Sequence, residues 1–169
     1  KRVEINGNKR VSEQTVLIYG EINVNKDYSE KDLNSVLSNL YNTNFFENVS
    51  IELSNGILKI DLVEYPTISN LIILGEPRNK FKESIKQIIG LKEKDSFIEN
   101  RLKQDVEKIK RLYASGGFNF VKVETKVKKI GDTNIDLIFE IDRGEVTKIK
   151  KISFVGDKKV RERRLRDII

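Results

Sequence analysis

The sequence predicts an α+β fold of tandem β-α-α-β-β units, each a three-stranded mixed sheet with two helices on one face. Three observations predict it. A hydrophobic strand ending in glycine recurs as Val3-Glu4-Ile5-Asn6-Gly7-Asn8, Leu71-Ile72-Ile73-Leu74-Gly75-Glu76 and Ile152-Ser153-Phe154-Val155-Gly156-Asp157. An amphipathic helical stretch follows each strand, and in the first two units a second helix leads into an alternating hairpin. Leu40, Tyr41, Phe46 and Val49 reappear as Leu112, Tyr113, Phe118 and Val121, a constant offset of 72. A repeat of that length sets the domain boundaries and shifts expectation from an enzyme toward a serial binding module.

The first unit opens with a strand at Val3 to Ile5 and turns at Asn6-Gly7-Asn8. Ser12 caps its first helix, which Tyr19-Gly20 ends. Ser29 opens the second helix, with Asp32 three residues on as the acid of a capping box. Leu33, Val36, Leu37 and Leu40 form an i, i+3, i+4, i+7 stripe, so this helix buries one face. Val49, Ile51 and Leu53 then alternate with Ser50 and Glu52, Ser54-Asn55-Gly56 turns the chain, and Leu58, Ile60 and Leu62 return. Period-two alternation marks a half-buried antiparallel pair. Pro66 closes the unit, because proline cannot donate to a continuing ladder.

The second unit follows the same plan. Phe81, Ile85, Ile88 and Ile89 mark its first helix and Gly90 its end. Ser96 and Glu99 read as a second capping box, and Leu102, Val106, Ile109 and Leu112 stripe the following helix. Gly116-Gly117 suits a left-handed C-terminal cap. Val121, Val123, Thr125 and Val127 alternate with Lys122, Glu124, Lys126 and Lys128, then Ile135, Leu137, Phe139 and Ile141 return after Gly131-Asp132. The expected division is 1–66, 67–145, and a truncated third unit over 146–169. The chain opens inside a strand and stops inside a helical pattern, so it is expected to be part of a longer protein.

Composition narrows the chemistry. There is no Cys and no His, which removes disulfides, thiolate sites and the commonest acid-base group and metal ligand near neutral pH. The formal charge is +6, but it is unevenly spread. Residues 1–66 carry 7 basic and 10 acidic side chains, residues 67–145 carry 16 and 13, and residues 146–169 carry 9 and 3. The excess falls in the third segment at helical spacing, the pattern of a solvated face. No apolar run approaches the roughly 18–20 residues that cross a bilayer as a helix.

The order of these motifs resembles the POTRA domain. The resemblance is carried by Ile5-Asn6-Gly7-Asn8-Lys9-Arg10-Val11, by the stretch 40–49, by Glu64-Tyr65-Pro66-Thr67-Ile68 and by 113–121, and it extends over all 169 residues. Gly75-Glu76-Pro77 departs from the usual Gly-Asn. The resemblance implies a non-catalytic arm in the periplasm, tethered to the outer membrane through a C-terminal β-barrel outside this chain. Its implied partners are unfolded outer-membrane β-barrel proteins, assembly lipoproteins and periplasmic chaperones. The POTRA arm of a two-partner secretion or autotransporter-assembly transporter remains an alternative, as does a plain structural spacer.

The residues themselves reach a compatible expectation. In a β-α-α-β-β unit the first hairpin strand can lie at a sheet edge with unpaired N–H and C=O groups. An extended client can add there as a further strand, with backbone bonds supplying affinity. The candidate edges are 48–53, centred on Val49, Ser50, Ile51 and Glu52, and 120–128, with Phe120, Val121, Lys122, Val123, Glu124, Thr125 and Lys126. Phe120 is read as an aromatic on the polar side of its strand, with packing against the neighbouring domain as the alternative. The lysines read equally well as gatekeepers against edge-to-edge aggregation.

Other chemistries find little footing. The carboxylates form no convincing acid-base pair, and no glycine-rich loop follows a strand with phosphate-binding spacing. No catalytic residue, cofactor or metal ligand is therefore expected. KH modules also combine two helices with a three-stranded sheet and clamp RNA through a GxxG loop. The inter-helix loops at 20–29 and 90–96 lack that motif, and the first unit is acidic, so no nucleic acid partner is expected.

Overall fold

The computed structural model describes residues 2–148 together with 150 and 151. The strand and helix expected within 152–169 lie outside the described residues. The first unit contains β1 (Arg2–Asn6), α1 (Glu13–Tyr19), α2 (Glu30–Asn42), β2 (Phe46–Ser54) and β3 (Ile57–Glu64). The second contains β4 (Thr67–Leu74), α3 (Asn79–Ile88), α4 (Glu99–Ser115), β5 (Lys122–Ile130) and β6 (Asn134–Asp142). Each unit therefore runs β-α-α-β-β.

The last strand sits in the middle of each sheet. The orders are β1-β3-β2 and β4-β6-β5. The outer strand β1 runs parallel to β3 and β4 runs parallel to β6, while both hairpins are antiparallel. The parallel pairing requires a long crossover, which the helix pair provides. On the central strands, Leu58, Ile60 and Leu62 face one core, and Ile135, Leu137, Phe139 and Ile141 face the other. The helices answer with Val36 and Leu40, and with Leu102, Ile109 and Tyr113. The two cores share no residue.

Glycine at the end of β1 and β4 is a steric requirement. Gly7 and Gly75 both have φ +82°, and a Cβ there would stand 2.0 Å from the Leu62 or Ile141 carbonyl oxygen. This close approach lets the chain leave the outer strand across the end of the central one.

Three sequence expectations need correction. Ser96 does not cap α4: the helix begins after Ile98, without a side-chain cap. Residues 96–98 are held extended instead, because Ser96 bridges to Thr67 and the Phe97 N–H donates to Pro66 O at 2.8 Å. By contrast, Ser29 and Asp32 form the expected reciprocal capping box. Second, β4 starts at Thr67, well before the apolar run at Leu71. Third, the offset of 72 is not a structural equivalence. Leu40 is fully buried with Tyr41 exposed, whereas in α4 it is Tyr113 that is fully buried. Helical phase thus matches Leu40 to Tyr113 and Tyr41 to Ala114, an offset of 73 set by α4's extra length.

Candidate functional site

Among the described residues, strands β2 and β5 each have a single ladder partner and an open second backbone edge. Along β2, Val49, Ser50, Ile51 and Glu52 pair with Leu62, Asp61, Ile60 and Lys59. Along β5, Lys122, Val123, Glu124, Thr125 and Lys126 pair with Asp142, Ile141, Glu140, Phe139 and Ile138. Nine residues in each strand give an edge long enough for an added strand. Val49 and Ile51 turn to one core and Val123 and Thr125 to the other; the intervening side chains are exposed.

Phe120 and Val121 fall outside β5, which corrects the expectation for them. Phe120 lies in the turn before the strand and is 78% exposed, with no ladder partner. Its placement follows from Gly116-Gly117, which stop α4 and carry the chain through a second turn before extension resumes at Lys122. The left-handed Gly117 has φ +85°.

The two edges are not equally open. In β2 a register irregularity falls between Phe46 and Asn48. Just beyond it, the Val49 N–H donates to the Tyr41 hydroxyl at 3.1 Å, and that hydroxyl donates to Asn48 Oδ1 at 3.2 Å. A helix side chain therefore occupies the backbone donor of the strand's fourth residue. In α4 the residue of matching phase is Ala114, which has no hydroxyl to offer. Among the described residues, no side chain hydrogen-bonds the main chain of β5.

Tyr113 serves the interior instead. Its phenol donates to Glu76 Oε2 at 2.5 Å. Glu76, the departure from Gly-Asn noted in the sequence, also accepts from the Arg78 N–H at 2.9 Å, Nε at 2.7 Å and Nη2 at 2.9 Å. The Arg78 guanidinium holds the Glu76 carboxyl down at about 2, against the opposing pull of burial, with help from the Tyr113 hydroxyl. Burial, reinforced by Glu76, raises the Tyr113 phenol above its ordinary value, so it remains a neutral donor. Arg78 also stacks over Phe81 at 4.3 Å. The other buried carboxylate, Asp105, accepts from the Gly90 and Leu91 N–H groups at 2.7 and 2.9 Å and from Lys108 Nζ at 2.8 Å. Sequence reasoning noted Glu76 only as a departure from the motif and missed Asp105. An acid on the apolar stripe of α4, three residues after Leu102, was the available signal for Asp105. Both are fully engaged in tying loops to helices. Among the described residues, no group of three or more His, Cys, Asp or Glu could hold a metal ion.

Charge distinguishes the edges further. The sequence of β2 contains Glu47 and Glu52 with no basic residue, whereas β5 contains Lys122, Lys126, Lys128 and Lys129 against Glu124. Lys126 Nζ reaches Glu140 across the ladder at 2.8 Å, and this bond raises the lysine pKa.

A cleft of about 560 Å³ lies where the units join, lined by Gly7, Lys9, Glu47, the 62–66 segment, Lys129 and the 131–135 turn. Glu64 forms part of its wall and accepts from the N–H groups of Lys9, Arg10 and Val11 at 2.8, 3.0 and 2.9 Å. Within the join itself, the Tyr65 N–H donates to Phe45 O in the first unit at 2.9 Å. Pro66 O accepts from Phe97 N–H in the second. No helix among the described residues is long and apolar enough to cross a membrane.

Residues 66–144 match the family model described as POTRA, surface antigen variable number repeat. Over 166 residues the chain is 28% identical to the outer membrane protein assembly factor BamA of Neisseria meningitidis serogroup B, covering 96% of this chain and 21% of that one. It is 27% identical over 169 residues to BamA of Neorickettsia risticii, covering 99% and 22%. The crystal structure of Haemophilus influenzae BamA POTRA3-5 overlays 98% of this chain and 74% of that one, with a TM-score of 0.47 and 15% identity. The chain spans about a fifth of the length of the curated relatives it matches. Residues 66–144 thus match the POTRA family model, and the chain is similar to the outer membrane protein assembly factors named BamA.

Proposed function

We propose that this chain is a non-catalytic periplasmic arm that receives extended segments of unfolded outer-membrane β-barrel proteins by strand addition at β2 and β5. The observation that carries the reading is that, among the described residues, each hairpin's first strand has one ladder partner and one open side. Unpaired backbone groups bind any extended chain with little demand on its sequence, which suits a receiver of many clients. The names of the relatives, outer membrane protein assembly factors, support the same process. On this reading the arm also meets assembly lipoproteins and periplasmic chaperones. It is divided into domains at 1–66, 67–145 and 146–169 and is tethered to the outer membrane by a β-barrel elsewhere in a longer protein. Titration of the isotope-labelled chain with an extended peptide from a β-barrel protein tests it. Amide shifts concentrated in β2 and β5 support strand addition; shifts confined to the helices, or none at millimolar peptide, reject it.

One observation favours a spacer role for the join. Consecutive residues Tyr65 and Pro66 are hydrogen-bonded to opposite units, an arrangement that holds their relative orientation. A spacer and a receiver are compatible, since fixed orientation determines which edges a client reaches together.

A further inference from the structure

We infer that β5 selects extended segments bearing carboxylates six residues apart, with a non-acidic residue between them beside Glu124; this rests on the strand-addition reading above. The side chains of Lys122, Glu124, Lys126 and Lys128 share the sheet face turned away from the core, because Val123, Thr125 and Val127 pair opposite the buried Ile141, Phe139 and Leu137. An added strand would place its own side chains about 5 Å from these on the same face.

The four positions make different demands. Lys126 is already satisfied by Glu140. Glu124 lies directly opposite Glu140 in the ladder, so a third acid there would be repelled. Lys122 and Lys128 stand opposite Asp142 and Asp136 in the ladder, but those acids accept from Gly144 N–H and Asn70. Neither lysine forms an ion pair with any described residue, and both are exposed. Their separation of six residues spans about 20 Å of extended chain. Carboxylates opposite both lysines, with serine or a basic residue opposite Glu124, complete the pattern whether the added strand runs parallel or antiparallel. The open main chain of β5 and the exposed Phe120 at its entrance leave this edge accessible. In contrast, β2 has the Val49 backbone donor taken by Tyr41, and its charged residues are both acidic.

The inference departs from the gatekeeper reading of these lysines. Gatekeepers weaken pairing with every strand; complementary charges strengthen it with one class. Four nine-residue extended peptides separate the two when titrated against the isotope-labelled 169-residue chain. One carries aspartates at the two outer positions, one serines, one lysines, and the fourth repeats the aspartates with prolines at alternate remaining positions, which removes ladder donors. The expected result is shifts along β5 with the acidic peptide binding about fivefold more tightly than the serine peptide at low salt, narrowing to under twofold at 0.5 M salt. The double variant Lys122→Glu with Lys128→Glu should reverse the order of the acidic and lysine peptides. Equal β5 shifts with the acidic and serine peptides would overturn the selectivity while leaving strand addition standing. Absence of β5 shifts with every peptide would remove strand addition at this edge. Equal response to the proline peptide would reduce binding to charge alone and overturn the inference.

Discussion

Tyr113 donates its phenol to Glu76 at 2.5 Å, joining the end of α4 to the turn after β4 inside a sealed interior. The sequence repeat pairs Tyr113 with Tyr41, yet Tyr41 stands outside the first core with its hydroxyl on the β2 backbone. A shift of one residue in helical phase thus gives one tyrosine to stability and the other to edge control. It also leaves the edge of β5 without such a cover.

The Glu76 network makes the second unit acid-sensitive. Its carboxyl falls from an ordinary 4.5 to about 2 in the folded state, chiefly through Arg78. A depressed carboxyl contributes stability that is present above its unfolded value and is lost as pH falls through its folded value. The contribution is therefore complete above about pH 5.5 and disappears between 4.5 and 2. A shift of that size corresponds to about 3 kcal/mol, and solvent around the half-exposed Arg78 reduces the expected effect to about 2 kcal/mol. Glu76→Gln should show that loss in urea unfolding at pH 7 and only about a quarter of it at pH 2.5. A deficit equal at both pH values would mean packing, not charge, sets its role.

Tyr41 controls exchange at the entrance of β2. Removing its hydroxyl in Tyr41→Phe deletes the acceptor for the Val49 N–H while leaving the ring in place. One hydrogen bond is worth about 1 kcal/mol net, so the Val49 amide should exchange roughly fivefold faster with deuterium. The amides of β3 should be unchanged. Exchange at Val49 as slow as in the wild type would mean the donor has another partner.

Two of the four positive-φ glycines of the second unit separate steric overlap from backbone strain. Gly75 has φ +82° and would place a Cβ 2.0 Å from Ile141 O; Gly131 has φ +67° with open space around it. Alanine at Gly131 carries only the left-handed penalty of about 1–2 kcal/mol. Alanine at Gly75 adds the displacement of two backbone segments, for a total above about 4 kcal/mol. Thermal unfolding of both variants should rank them in that order, and equal losses would contradict the close approach.

Much of this architecture is visible in the sequence because it is enforced locally. Alternation at Leu58, Ile60 and Leu62 and the Ser29-Asp32 box each depend on neighbours within a few residues. The failures share a different cause. Ser96 and Glu99 have the spacing of a cap, but pairing of residues 96–97 with the Pro66-Thr67 segment keeps the chain extended, and that partner lies about thirty positions away. Phe120 continues the alternation of β5 on paper, while Gly117 and the following turn delay the strand by two residues. Tyr41 and Tyr113 each follow a leucine and each lie five residues before a phenylalanine, so the phase of their helices is what tells an edge cap from a core residue. The open edges follow from topology: placing the last strand in the centre automatically exposes the strand before it.

The join between units is expected to be stiff, and this has a direct test. The Tyr65 N–H is held by Phe45 O and the Pro66 carbonyl by Phe97 N–H, so only the torsions of two residues separate the anchored atoms. Proline locks its own φ near −65° and keeps the preceding residue extended. Little rotation remains. Pro66→Gly restores both freedoms without removing either hydrogen bond, since the bond at position 66 uses the carbonyl. The chain has no native Cys, so spin labels at introduced cysteines in Glu13→Cys and Lys103→Cys report one unit against the other. Pulsed dipolar measurement should give one narrow distance distribution with Pro66 and a broad one with glycine, while the unfolding of each unit shifts by less than about 1 kcal/mol. A distribution already broad with Pro66 would show that the two anchors do not restrain the units, and the combined presentation of β2 and β5 to one client would lose its structural basis.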